Sequence, residues 1–202
     1  TTTYTAIPGN PDVASVDAAG AAFHESGANV IVALGGGSVI AASKGVRVLA
    51  GSPQGISIAE YSLRLAKKRR SLPSIGQMPP MIALPTTSGT GAEATPWGLL
   101  TDLENKVKFA IGDTDSVPTV ALLNPALTFS LPPHLTAATG MDALSHLFEA
   151  YVSTNEAPAM LDPLILNGIR KIGRFLPIAV ANPNNKQARY EMLQASYLGG
   201  VA

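Results

Sequence analysis

Cysteine is absent from the 202 residues. That excludes a disulfide framework, a cysteine-ligated zinc site and a thiol nucleophile. Charge is scarce as well. Lys plus Arg number 14 and Asp plus Glu number 14, so the net charge is zero and 14% of residues are charged, against about 25% in an ordinary soluble domain. With no basic excess to displace counterions, binding of nucleic acid by bulk charge is excluded. Long apolar runs are missing too. The longest comparable ones, Val30 to Leu34 and Val120 to Leu123, are strand-sized, whereas a membrane span takes about 18 or more apolar residues in a row. Thr1 to Thr5 is polar and carries neither the basic nor the apolar part of a signal peptide. A cytoplasmic protein with no membrane and no nucleic-acid partner is the expectation. Apolar residues nevertheless make up 46% of the chain, which excludes disorder, because disorder needs low hydrophobicity and high net charge. A chain this poor in charge hides surface against a partner or is part of something larger. Thr1 is no initiator and Ala202 falls inside a helical pattern, so a longer gene product is expected.

The first 130 residues read as an α/β region. Asn10-Pro11 predicts a capped helix start, Val13, Val16, Ala19 and Phe23 repeat at helical spacing, and Gly27 predicts the stop. Asn29 to Leu34 predicts a strand buried on both faces. Gly35-Gly36-Gly37-Ser38 and a helix to about Ala50 follow. Ser57 to Glu60 reads as a capping box opening a helix that ends in the basic, solvated run Lys67 to Arg70. Met81 to Leu84 predicts a second buried strand, leading into Pro85-Thr-Thr-Ser-Gly-Thr-Gly91. Trp97 to Thr101 and Val107 to Ile111 predict paired strands around a turn at Glu104-Asn105, and Val120 to Leu123 another buried strand. Beyond Pro132-Pro133 the strand signal stops. Helices are expected over about 136–153, 162–180 and 186–202, with Asp162 capping the second and Asn184 or Asn185 the third. The division is therefore placed at residues 1–130 and 131–202, an α/β domain and the start of an all-helical one.

Two segments carry chemistry in the first part. A strand running into Gly35, Gly36 and Gly37 and then a helix presents bare backbone N–H groups at a positive helix end, which suits a phosphate. It is neither of the common phosphate-loop fingerprints, and a tight turn without a ligand explains it equally. The Thr86 to Gly91 segment adds hydroxyls and glycines after a second buried strand. In an open parallel sheet such loops border the ligand crevice.

In the second part, Asp142 and His146 stand four residues apart, one above the other on a helix, with Glu149 expected on the same face and Leu144, Leu147 and Phe148 on the other. A carboxylate and an imidazole so spaced can grip one divalent metal, and a plain Asp–His pair explains them too. His24 and His134 are assigned structural roles.

These segments resemble the iron-containing, metal-dependent (group III) alcohol dehydrogenases. The resemblance rests on Gly35-Gly-Gly-Ser-Val39, Pro85-Thr-Thr-Ser-Gly-Thr-Gly91 with Glu93 and Thr95, Asn124-Pro-Ala-Leu127, and Thr139-Gly-Met-Asp-Ala-Leu-Ser-His146 with Glu149-Ala-Tyr151, in that order. It implies a Rossmann-like dinucleotide-binding domain followed by an all-α domain, with the active site in the cleft between them. It implies that Gly35, Gly36, Gly37 and Ser38 hold the pyrophosphate of NAD or NADP, that Thr86, Thr87 and Thr90 border its adenosine and ribose end, and that Lys108 contacts a ribose. Asp142 and His146 match the first two metal ligands, for Fe(II) in preference to Zn(II). The family's other two ligands, both histidines, and its first βα unit fall outside this sequence, so the chain resembles the middle half of such an enzyme. The implied reaction is hydride transfer between NAD(P) and a primary alcohol or aldehyde, in a homo-oligomer, most simply a dimer.

Three positions depart from the family's usual pattern. Ala41 stands where Asp is usual, Asn124 where Asp precedes Pro, and Ala92 where Ser is common. Related activities on the same architecture are maleylacetate reduction, hydroxyacid–oxoacid transhydrogenation, glycerol oxidation and dehydroquinate synthesis. The glycerol branch usually has Lys in place of Ser38. A catalytically inactive nucleotide-binding fragment is the reading from another class, favoured by Ala41 and the missing ligands.

Overall fold

The computed structural model describes residues 1–62, 76–112, 114–154 and 159–202. Helices α1 (Val13–Ser26) and α2 (Gly37–Ala50) flank strand β1 (Ile31–Gly35) in sequence. Strands β2 (Met81–Pro85), β3 (Gly98–Asp102), β4 (Val107–Ile111) and β5 (Val120–Ala121) follow, and then helices α3 (Pro133–Val152), α4 (Asp162–Ala181) and α5 (Lys186–Val201). An α/β region leading into helices is the architecture read from the sequence. The run Lys67 to Arg70 and the helix expected to reach it lie outside the described residues. What is described of that element is a 3-10 turn over Ile58–Tyr61, capped by the Ser57 hydroxyl.

Strands β1, β2 and β5 form one sheet in that order. Ile31 N–H donates to the Pro80 carbonyl, and at the other end Thr86 N–H donates to that of Gly35, so β1 and β2 run parallel. Side chains alternate across β1: Ile31 and Ala33 are buried, while Val32 is 62% and Leu34 55% exposed. Val120 and Leu122 are exposed as well. The expectation of strands buried on both faces is thus corrected. An unbroken apolar run marks the strand, but one face of it is left uncovered by the described residues. Strands β3 and β4 pair antiparallel, from Gly98 opposite Ile111 to Asp102 opposite Val107. The Asp102 carboxylate closes their turn by accepting from Asn105 N–H at 2.9 Å and from its side-chain amide at 2.7 Å.

The cap of α1 is Asp12, not Asn10. Asp12 sits in extended backbone and its carboxylate accepts from Ser15 N–H at 2.7 Å. Asn10 has φ +56°, which turns it out of the cap geometry. Gly27 ends α1 in the left-handed conformation that a residue without Cβ adopts freely. Asp162 is the first residue of α4 and makes no capping bond. Asn185 caps α5, accepting from Ala188 N–H at 2.9 Å.

The chain divides into two compact units. The first comprises Thr1–Leu34, Ser38–Ala83 and Pro96–Val120. Its core joins Val16 of α1, Ala42, Val48 and Leu49 of α2, Ile58 and Tyr61, and Leu100, Phe109 and Ile111 of the hairpin. Buried Arg47 fastens three carbonyls there, those of Pro79, Asp115 and Val117, at 2.7–2.9 Å.

The second unit comprises Gly35–Gly37, Leu84–Thr95 and Ala121–Ala202. The glycine-rich loops thus group with the helices, a division that residue 130 alone does not describe. Its core is a three-helix packing of Ala143 and Leu147 from α3, Ile165, Ile172, Leu176 and Ala179 from α4, and Ala188, Met192 and Ala195 from α5. Arg189, 2% exposed, ties α5 to the start of α3. Its guanidinium donates to the carbonyls of Pro183 at 2.8 Å and Leu131 at 3.1 Å and to the Thr136 hydroxyl at 2.7 Å. Burial pulls its basicity below the usual arginine range. The fork satisfies three acceptors at once, which no uncharged side chain does. Arg189→Met is expected to cost about 3 kcal/mol, because the acceptors lose charge-assisted bonds; the midpoint of denaturant unfolding measures it.

Across α4 and α5, the Lys171 ammonium bonds the Glu191 carboxylate and the Gln194 side-chain carbonyl. The Lys171 hydrogen bond holds the Glu191 carboxyl below its ordinary value near 4.5. A depressed folded value contributes stability that is present above the unfolded value and lost as pH falls through the folded one. The melting temperature of the parent is therefore expected to fall more steeply than that of Glu191→Gln as pH drops below about 4.5, as thermal melts between pH 7 and 3 measure.

Candidate functional site

The sequence-predicted residues separate into three groups. The first lies where α2 begins in the first unit. Ser38 Oγ accepts from Asn10 N–H at 3.2 Å, and Asn10 Oδ1 accepts from the Lys108 ammonium at 2.8 Å. Asn10 thus links the serine of the glycine loop to the lysine on β4. The sequence reads Asn10 as a helix cap and gives no hint of its place in this group. What it does signal is a turn: Gly9-Asn10-Pro11 is turn chemistry, and Asn tolerates positive φ better than most residues.

The second group is the pair of loops in the second unit. Thr86 N–H donates to the Gly35 carbonyl at 3.0 Å, which brings the two loops side by side. A methyl added at Gly36 would stand 3.2 Å from Thr87 Cγ2, and one at Gly37 would stand 2.5 Å from Thr90 Cγ2. At Gly37 a Cβ would collide with Thr90, and at Gly36 one would press tightly on Thr87. Helix α2 starts at Gly37, so the positive end of its dipole lies in this loop. Thr90 itself is exposed, while Glu93 a few residues on is buried.

The third group lies on α3. His146 Nε2 stands 3.8 Å from Asp142 Oδ1, and the two side chains are 38% and 43% exposed. Two donors each about 2.1 Å from a shared ion stand roughly 3–4 Å apart, so the pair fits a single cation. An oxygen and an imidazole nitrogen suit iron and zinc alike. Glu149 does not complete the set: among the described residues no three of His, Cys, Asp and Glu are placed to hold a metal, and Glu149 is exposed. Phe148, expected on the packed side, is 58% exposed. Leu147 is buried as expected, along with Thr136, Gly140 and Ala143, and Leu144 packs partly against the same core. A methyl at Gly89 would stand 3.0 Å from Thr139 Cβ and 3.2 Å from Asp142 Oδ2, so the Thr/Gly loop runs directly against the carboxylate.

The departures from the family pattern are all accommodated. Ala41 is buried. Asn124 caps a 3-10 turn over Pro125–Thr128, its side chain accepting from Ala126 N–H at 3.0 Å. Ala92 N–H donates to the Thr90 hydroxyl at 3.3 Å. His24 sits in the last turn of α1 with its Nε2 3.2 Å from the Leu49 carbonyl, a structural contact. No described helix is long and apolar enough to cross a membrane.

Comparison with known proteins points one way. Residues 1–125 match the iron-containing alcohol dehydrogenase family and residues 136–202 match the C-terminal region of the Fe-containing alcohol dehydrogenase family. Alcohol dehydrogenase 4 of Saccharomyces cerevisiae is 38% identical over 193 residues, 96% of this chain and 48% of the yeast protein. Long-chain-alcohol dehydrogenase 1 of Geobacillus thermodenitrificans is 41% identical over 199 residues, 98% of this chain and 48% of that protein. The crystal structure of sulfoacetaldehyde reductase from Bifidobacterium kashiwanohense, in complex with NAD+, superposes with a TM-score of 0.90 at 36% identity, covering 100% of this chain and 51% of its own. An iron-containing alcohol dehydrogenase from Thermotoga maritima gives 0.83 at 33% identity, covering 98% and 51%. The chain thus spans about half the length of the curated relatives it matches. With the two family patterns following one another along almost its whole length, the chain belongs to the iron-containing alcohol dehydrogenase family.

Proposed function

We propose that the protein is a metal-dependent oxidoreductase that transfers a hydride between NAD(P) and a primary alcohol or aldehyde. The observation that carries this reading is the approach of the Thr/Gly loop, at Gly89, to the Asp142 carboxylate one helical turn from His146. Gly35–Gly37, the Thr/Gly loop and the Asp142–His146 pair share one compact unit. The NAD+ bound to the structural relative and the alcohol-dehydrogenase names of the sequence relatives support it. They favour alcohol chemistry over the transhydrogenase and synthase alternatives, and NAD over NADP. The family's name favours iron over zinc. A cytoplasmic homo-oligomer goes with this reading.

Gly35, Gly36, Gly37 and Ser38 would hold the pyrophosphate, their N–H groups facing it at the start of α2. Thr86, Thr87 and Thr90 would border the adenosine and ribose. Lys108, its ammonium held by Asn10, would meet a ribose hydroxyl. Asp142 would supply charge and His146 a neutral ring nitrogen to the divalent cation. A bound cation provides Lewis acidity that polarises the substrate oxygen, and the nicotinamide carries the hydride. The protein's contribution is to hold both partners in register.

His146→Ala in the protein expressed from its complete coding sequence is expected to lose bound iron and NAD(P)H-dependent aldehyde reduction together. Retention of both, by metal analysis and absorbance at the nicotinamide band, would sink the metal assignment. Lys108→Ala is expected to weaken NAD(P) binding roughly tenfold, the usual worth of a charge-assisted hydrogen bond, with metal content unchanged; calorimetric titration reads the first and elemental analysis the second.

A further inference from the structure

The Thr/Gly loop is held from a side that the proposed chemistry does not use. Gly91 has φ +58°, and its N–H donates to Ser196 Oγ of α5 at 3.2 Å. Ser196 is 1% exposed. A methyl at Gly91 would stand 2.6 Å from the Ser196 carbonyl and 2.7 Å from the Gly200 nitrogen, and one at Gly200 would run into the Gly91 carbonyl. The loop backbone and the helix backbone therefore touch with no side chain between them. One residue earlier on α5, a methyl at Gly199 would stand 3.5 Å from His146 Cβ and 3.5 Å from the Ala143 carbonyl. A single turn of α5 thus has the loop on one side and the metal-donor helix on the other.

The contacts form a continuous path within one compact unit. Gly36 and Gly37 lie against Thr87 and Thr90, Gly91 against Ser196 and Gly200, and Gly199 against His146. Gly89 closes the loop onto Asp142 directly. Each joint has a glycine on one side, and at Gly37, Gly91 and Gly200 the elements approach more closely than any Cβ would allow. We infer that Ser196 and Gly200 are positioning residues: they fix the height of the Thr/Gly loop against α5 and thereby set the distance between the dinucleotide and the Asp142–His146 pair. Ser196 does this by accepting the Gly91 N–H, a donor that would otherwise be buried without a partner. Gly200 does it by letting the loop approach to backbone contact.

This inference rests on the reading of the Thr/Gly loop as a cofactor loop, and the experiment separates the two. NAD(P) binding is titrated calorimetrically, and metal content and melting temperature are measured, for the complete protein and for Ser196→Ala. The substitution removes one acceptor and adds no bulk. The dissociation constant for the dinucleotide is expected to rise roughly three- to tenfold, the worth of one neutral hydrogen bond, with metal per chain unchanged. Gly200→Ala, which lifts the loop, is expected to raise it further. If the parent binds the dinucleotide and Ser196→Ala binds it equally well while melting lower, Ser196 is a packing residue only and the inference is overturned. If the parent binds no dinucleotide, the cofactor reading falls and takes the inference with it. Should Ser196→Ala not fold, Ser196→Cys, which keeps the size and a weaker acceptor, is measured instead. A dissociation constant raised above the parent's supports the inference and one equal to the parent's overturns it.

Discussion

Two loops that share a wall with no room for a Cβ govern this molecule. Gly36 and Gly37 follow one strand of a parallel pair and Thr87 and Thr90 follow its neighbour. Parallel strands end at the same edge, so the loops emerge together and have to pack on each other. Thr90 on one side leaves no room for a Cβ at Gly37 on the other, and Thr87 leaves little at Gly36. The bare backbone this leaves at the start of α2 is what a phosphate needs, but packing alone already requires it. The glycines of such a turn are therefore determined by the neighbouring loop before any ligand is considered.

The helical unit gives this arrangement its rigid backing. Helices α3, α4 and α5 bury a continuous apolar core, and the polar groups inside it are fastened rather than stranded. Arg189 serves three acceptors, and Lys171 bridges two helices through Glu191 and Gln194. Such bonds add less to net stability than the apolar area does, but they fix which turn of one helix meets which turn of another. A one-turn slip of α3 would move Asp142 and His146 by about 5.4 Å, more than the whole separation between their donor atoms.

Much of this was legible in the residues. The strand-to-glycine transitions, the hairpin around Glu104-Asn105, the three C-terminal helices and the Asp142–His146 spacing all follow from local rules of period, turn chemistry and capping. What escaped is non-local. The continuous run from Val30 to Leu34 identifies a strand, but whether its second face is covered depends on segments far away, and Val32 and Leu34 stay exposed. The cap moved from Asn10 to Asp12 because Asn10 answers to Ser38 and Lys108, which lie 28 and 98 residues away. Glu149 shares a helical face with His146 by count, yet a metal set depends on what the neighbouring segments bring to that face. Ser196 carries no sequence signal at all, since a serine in a helix is ordinary until a glycine loop is seen to rest on it.

Asn10 constrains the chain's own future. Its backbone conformation admits asparagine, aspartate or glycine at little cost, so shape alone would let any of the three drift in. Charge does not. An aspartate would bind the Lys108 ammonium as a counterion and cancel the positive potential there, while a glycine would let the lysine swing free. The neutral amide orients that cation without neutralising it, and of the residues the backbone permits it is the one that does both.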